Sequence, residues 1–351
     1  MRSSRRDQRG IALLLALLVL IILIVLVGQM VITASHNKSV AENATSDLAT
    51  SYAMKAGYYQ SRLYLEADAE RAADVDSTNE RWSQPIEFAI GGTRTTVKIA
   101  DAASKINLAA MVNDRGEPVD RIYQQVQRLA VSLGHPEDVA ARILDYQDAD
   151  TRGDFEAGAR NEPMTTLDEL QRIDGIAREV LYGEGEKKGI LRFVTVWPRA
   201  AASGTPPPEG QPAPPAQPGA GTTGQINVNT APAEVLLALD DDMTPAIAAA
   251  IVAHRGERAQ DGSYQHFKTV QDVSAVQGMT AELLQKISPA CVVKAAAFEI
   301  HVTAVSGAVE KGWLYVVTRA AGQQGQPAQI TLVAQQRETE ARSVKPPEAE
   351  K

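Results

Sequence analysis

From Ile11 to Val27 every residue is Ile, Leu, Val or Ala, and no Asp, Glu, Lys or Arg falls between Arg9 and Lys38. A helix rises about 1.5 Å per residue, so this run and its apolar continuation to Ile32 can cross a bilayer core of about 30 Å. Arg2, Arg5, Arg6 and Arg9 precede it against one acid, Asp7. Basic residues are retained on the cytoplasmic side, so the N-terminus is expected inside and the bulk of the chain outside.

A cleaved secretory signal has a shorter apolar region followed by a small-residue cleavage site, and Ala34-Ser35-His36 is a poor one. A plain signal anchor fits the run. So does a prepilin-type leader, in which the peptidase cuts after a Gly that precedes the apolar helix. Gly10-Ile11 behind a short basic leader has that pattern. The N-terminus therefore resembles the type IV pilin and pseudopilin class, with residues 1–10 as leader and Gly10 and Ile11 as processing residues. The resemblance implies cleavage by a prepilin peptidase and methylation. Most members carry a Glu five residues into the mature chain; here that position is Leu15. The subunit of the class that lacks this Glu is the K-type minor pseudopilin of type II secretion systems, placed at the filament tip.

Residues 28 to about 70 continue the helix. Ala41, Leu48, Tyr52, Lys55, Tyr59 and Leu63 fall on one helical face, and Tyr52, Tyr58, Tyr59 and Tyr64 are expected to pack against a sheet. The spacing predicts a hairpin from Pro85–Ile90 and Thr93–Ala100 about Gly91-Gly92. It predicts further strands at Phe298–Val305, Trp313–Thr318 and Gln329–Val333, with a turn at Gly322–Gly325. The fold class is thus α+β. A long N-terminal helix (11–70, transmembrane about 11–32) and a pilin-like antiparallel head (71–104 and 295–338) are interrupted by a mostly helical insertion. A tail, 339–351, is polar and expected to be disordered.

The insertion repeats itself. Lys105-Ile-Asn-Leu108, Val139–Asp145, Thr165–Leu170 and Ile173–Ile176 recur as Gln225-Ile-Asn-Val228, Ile247–Val252, Lys268–Val273 and Val276–Met279. Residues 105–197 and 225–294 are therefore two copies of a small SAM-like or helix-hairpin-helix-like unit, joined by a Pro/Gly-rich linker, 198–224. Thr166 with Glu169 and Thr269 with Asp272 read as N-caps, and Gly175 and Gly278 as tight turns.

Residues 226–278 also resemble the helix-hairpin-helix module of bacterial DNA-uptake proteins, whose hairpin amides hold phosphate. A membrane-anchored DNA-uptake protein is the alternative function. The first hairpin here is Leu239-Asp-Asp-Asp-Met-Thr244, and three carboxylates repel a phosphate. The net charge of -8 gives no general basic footprint, so no nucleic-acid partner is expected. His254 and Arg255 read as a solvated helix end. The single cysteine, Cys291, excludes an internal disulfide and reads as a buried hydrophobe.

Leu144–Glu156 crowds Asp145, Asp148, Asp150, Asp154 and Glu156. From Asp148 the loop matches a calcium loop at its first, third, sixth and seventh positions; it departs at Arg152 and at Ala159, where a bidentate Glu is wanted. Asp148, Asp150, Asp154 and Glu156 are the candidate ligands, with Ca²⁺ as the one cofactor considered. The K-type resemblance implies an acid-rich loop at this place. The five His residues lie apart, and no catalytic motif is present, so an enzyme is not expected. The resemblance implies an inner-membrane protein with one membrane pass and a periplasmic head. It would help initiate or cap the pseudopilus for export of folded proteins. Its partners would be other minor pseudopilins, the major pseudopilin, the prepilin peptidase and inner-membrane lipid.

Overall fold

The computed structural model describes residues 4–71, 74–199, 224–258, 264–320 and 328–338. Most of the expected linker, the Gly322–Gly325 turn and the 339–351 tail lie outside the described residues. Helix α1 spans Ser4–Arg71, so it begins ahead of Gly10-Ile11 and is continuous through them. Its most apolar stretch has a mean hydropathy of 3.2 with none of it buried, as a membrane segment requires. Next come β1 (Ile86–Ile90) and β2 (Thr93–Asp101), turned by Gly91 and Gly92 at φ of 55° and 83°.

The first unit runs through β3 (Ile106–Asn107), α2 (Asp120–Ser132), α3 (Val139–Gln147), α4 (Arg178–Tyr182), β4 (Gly183–Glu184), β5 (Lys187–Lys188) and β6 (Val194–Thr195). The second runs through β7 (Ile226–Asn227), α5 (Ala233–Leu237), α6 (Pro245–Gly256), α7 (Ala281–Ile287) and β8 (Cys291–Val292). The chain then returns to the head as β9 (Ala297–Ser306), β10 (Val309–Ala320) and β11 (Gln329–Glu338). The head sheet has the order β1-β2-β9-β10-β11, antiparallel throughout. The insertion therefore leaves after β2 and re-enters at its hydrogen-bonded neighbour β9.

Strand alternation gives the sheet two faces. Val97, Ile99, Ile300, Val302, Tyr315 and Val317 form one, buried against α1. The helix face in that contact is not the one the spacing picked. Leu48, Tyr52, Tyr59 and Leu63 are exposed, while Thr50, Ala53, Met54, Gly57, Ser61 and Leu65 are buried. The reason is distance. A Cβ placed on Gly57 would stand 2.7 Å from Val302 Cγ1, so α1 lies too close to the sheet for bulky side chains. Of the four tyrosines only Tyr58 packs on the sheet, stacked on Tyr315 at 4.8 Å; Tyr64 instead lies under the Arg81 guanidinium.

The other sheet face carries the insertion. Ala297, Leu314 and Val316 join the core of the two units, with Ala334 packed against it. Each unit closes on itself through a parallel two-stranded clasp, Ile106 beside Val194 and Ile226 beside Cys291. The units are thus short helices, 3-10 turns and paired strand ends rather than purely helical bundles.

Candidate functional site

The two copies share a polar skeleton. In each, the Asn after the first clasp residue turns the chain: Asn107 Oδ1 accepts from Ala109 N at 3.1 Å, Asn227 Oδ1 from Asn229 N at 2.9 Å. The end of the second helix of each unit reaches back to the next carbonyl. Gln147 Nε2 donates to Leu108 O at 3.2 Å, and Arg255 Nη1 to Val228 O at 2.9 Å. Arg255 is thereby buried, against the expectation of a solvated helix end; His254 beside it stacks on Phe267 at 5.0 Å. Both capping boxes form, Thr166 with Glu169 and Thr269 with Asp272, on 3-10 turns. Gly175 and Gly278 take φ of 80° and 87°, which L side chains resist.

The acidic loop leaves the end of α3. Arg160 N and Asn161 N donate to Tyr146 O at 2.9 and 3.1 Å, and Asn161 Nδ2 to Asp150 O at 2.9 Å. These bonds fold the loop over so that one carboxylate oxygen each of Asp148, Asp150 and Glu156 lies within 4.8 Å of the others. Asp154 is exposed and outside this group. Asp145 is held aside as acceptor of Phe155 N at 2.9 Å, with Gly153 lying against its carboxylate.

Two oxygens of the group, Asp148 Oδ1 and Glu156 Oε1, are buried without a hydrogen-bond partner. Orphaned buried carboxylate oxygens are costly. Burial, then Asp150, Glu156 and Asp145, pushes Asp148 up to about 6; burial, Asp145 and Asp150 raise Glu156 as well. A hard divalent cation would satisfy the lone pairs and reverse both shifts, so the donor set fits Ca²⁺. The far end of the loop is anchored by Glu169. It accepts from Arg160 Nη1 at 2.7 Å, Thr165 Oγ1 at 2.6 Å and Thr166 N at 2.8 Å. Burial would raise that carboxyl, but these donors hold it at about 2.

The first hairpin of the second unit is an internal contact. Arg128 of α2 grips Asp241 with Nε at 2.5 Å and Nη2 at 2.9 Å, and Lys286 lies 2.5 Å from Asp242 and 3.9 Å from Asp240. Cys291 is buried, its thiol pushed up to about 12 by that burial.

Two further charge clusters escaped the reading of the sequence. Buried Glu299 accepts from Lys105 Nζ and Thr195 Oγ1, both at 2.6 Å, and His301 Nδ1 pairs with Glu338 at 2.6 Å. Burial opposes both charges. Lys105 and His301 nevertheless hold Glu299 well below the usual carboxylate range, and Glu299 and Glu338 lift His301 to about 9. An acid and a His two apart in an otherwise apolar strand was the available signal. In the second cluster Arg319 occupies the space between Asp68 and Asp76, so that acid group already holds a cation.

A membrane-length helix packed on an antiparallel sheet, with an insertion between two neighbouring strands, is the frame that carries these clusters. Residues 226–294 match the family model for type II secretion system protein K. The chain also resembles a chain of the crystallised GspK-GspI-GspJ complex from the enterotoxigenic Escherichia coli type 2 secretion system. The identity is 16% and the TM-score 0.55, over 88% of this chain and 99% of that one. No curated protein matches. The sequence match thus falls on the second unit, and the likeness to the solved chain is one of fold over most of the length.

Proposed function

We propose that this protein is a structural subunit at the tip of the type II secretion pseudopilus, where it starts or caps the filament that exports folded proteins. The observation that carries this reading is the insertion itself. The family match falls within it, and its bulk covers a sheet face at the side of the head, which suits an end position better than a place within a stack. Leu15 points the same way, since it offers no carboxylate to the N-terminal amine of a subunit above.

On this reading the chain is cut after Gly10 and methylated. It stays in the inner membrane by α1, with its head in the periplasm, and joins other minor pseudopilins and the major one. The exposed stripe of Leu48, Tyr52, Tyr59 and Leu63 continues the apolar membrane segment and is the surface offered to their helices. The acidic loop takes one Ca²⁺ on Asp148, Asp150 and Glu156. DNA uptake is the weaker alternative, because the acids of the hairpin that would meet phosphate are paired with Arg128 and Lys286.

N-terminal sequencing of the membrane-extracted protein tests the first step. Ile11 is the expected first residue, and Gly10→Ala should leave the leader attached. A chain starting at Met1, or beyond residue 30, removes the filament role. Co-purification with the other minor pseudopilins tests the second step, with Tyr52→Glu and Tyr59→Glu expected to release them.

A further inference from the structure

Where the end of α1, the end of β10 and the second unit meet, three carboxyl groups surround one guanidinium. Oxygens of Asp68, Asp76 and Glu80 lie within 4.8 Å of one another. Arg319 bonds Asp68 at 2.9 Å and also bonds Asp76, and it lies 4.8 Å over the Phe298 ring. Asp76 is fully buried and accepts Ala295 N at 2.7 Å as well. Its backbone ties down the second unit, with Asp76 N donating to Val293 O at 2.9 Å and Asn227 Nδ2 to Asp76 O at 3.1 Å.

Glu80 completes the group. It accepts from Ser77 N at 2.9 Å and Trp82 Nε1 at 2.6 Å, and no cation bonds it among the described residues. One oxygen of its carboxyl lies within 4.8 Å of one of Asp68, with no cation between the two among the described residues. One guanidinium does not offset three carboxylates this close in a partly buried cluster, and a proton held between two of them would remove the surplus.

We propose that Asp68 and Glu80 share a proton, and that this proton keeps the joint between α1, the sheet and the second unit closed. A cleft of about 590 Å³ opens onto Glu80, so the pair can exchange its proton with solvent. The charged and titratable groups around it are Arg71, Asp74, Tyr264, His266 and Lys268 on the cleft side, with Arg319 and Asp76 behind. Burial, then Asp68, pushes Glu80 up to about 8, and burial raises Asp68 against the pull of Arg319. A folded value raised above 4.5 gives a contribution fully present below 4.5 and lost as pH rises through about 8. Rising pH therefore loosens this joint, independently of the filament role.

The test is amide exchange of segment 74–83 in the full chain in detergent micelles, corrected for intrinsic rates, at about pH 6.5 and about pH 9. Wild type should lose protection about tenfold or more across that range, while Glu80→Gln, which keeps a hydrogen bond to Asp68 without titrating, should change less than about twofold. Equal profiles in the two proteins, or a flat wild type, overturn the proposal. A second measurement does not depend on the variant. The infrared carbonyl stretch of a protonated carboxyl should be present in wild type at neutral pH and vanish on raising the pH through about 8; its absence at neutral pH also overturns it.

Discussion

The two inserted units share a skeleton and differ in what fills one gap. Each has an Asn turn, a clasp, a second helix whose end reaches back to a carbonyl, a boxed 3-10 turn and a left-handed glycine. Between helix and boxed turn, the first unit places a loop with orphaned carboxylates. The second instead fixes Phe267 through Asn229, which accepts its N–H and donates to its carbonyl, both at 2.9 Å. The scaffold thus accommodates two different closures, and among the described residues only the first leaves lone pairs for a ligand. The units also dock differently: the first reaches the sheet through the ionic Lys105–Glu299 pair, the second through neutral donors on buried Asp101.

The comparison breaks first at the asparagines. Asn227→Ala should cost about 3 kcal/mol or more in urea unfolding, because it strands the Asp76 carbonyl, takes one donor from buried Asp101 and removes the acceptor of Asn229 N. Asn107→Ala, which removes bonds to Pro198 O and Ala109 N, should cost about 1–2 kcal/mol. Equal losses would mean the two copies are not docked as differently as described.

Removing metal should separate the units next. With Ca²⁺ at a hundred times its dissociation constant, chelation should lower stability by about 2.7 kcal/mol. Amide exchange should locate that loss in 145–170 and not in the second unit. Protons compete for Asp148, so the chelator effect should fade as pH falls through about 6. It should also disappear in Asp148→Asn.

Gln125 lies on the same side of α2 as Arg121, which bonds Gly224 O, and Arg128, which bonds Leu239 O, and neither end of its buried amide has a partner among the described residues. Gln125→Met keeps the shape and removes the stranded groups, so a gain of about 1–2 kcal/mol is expected in the same titration. The smallest contrast lies in the caps. Thr269→Ala should cost about 1 kcal/mol, and Thr166→Ala about the same, since Arg160 and Thr165 still hold Glu169.

Much of this was readable beforehand. The apolar run, the hairpin glycines and the repeat are local signals, and their elements stand where periodicity and turn chemistry put them. The face of α1 was misread because bulky residues look like core. Here the sheet demanded small ones, with Gly57 against Val302 the tightest point. The acidic loop was legible in composition but not in membership. Bonds to the Tyr146 carbonyl bring Glu156 inward while Asp154 stays exposed, and a ligand template counted along the chain does not contain that fold. The Lys105–Glu299 pair spans 194 positions and exists only through strand register.

The clasps have an implication for how such a head could have grown. Each unit enters and leaves at neighbouring strand residues, Ile106 by Val194 and Ile226 by Cys291, so its two ends meet at a narrow neck. Material can be added or trimmed beyond a neck without moving what lies before it. Duplicating such a cassette enlarges the head while the sheet and the long helix stay in register.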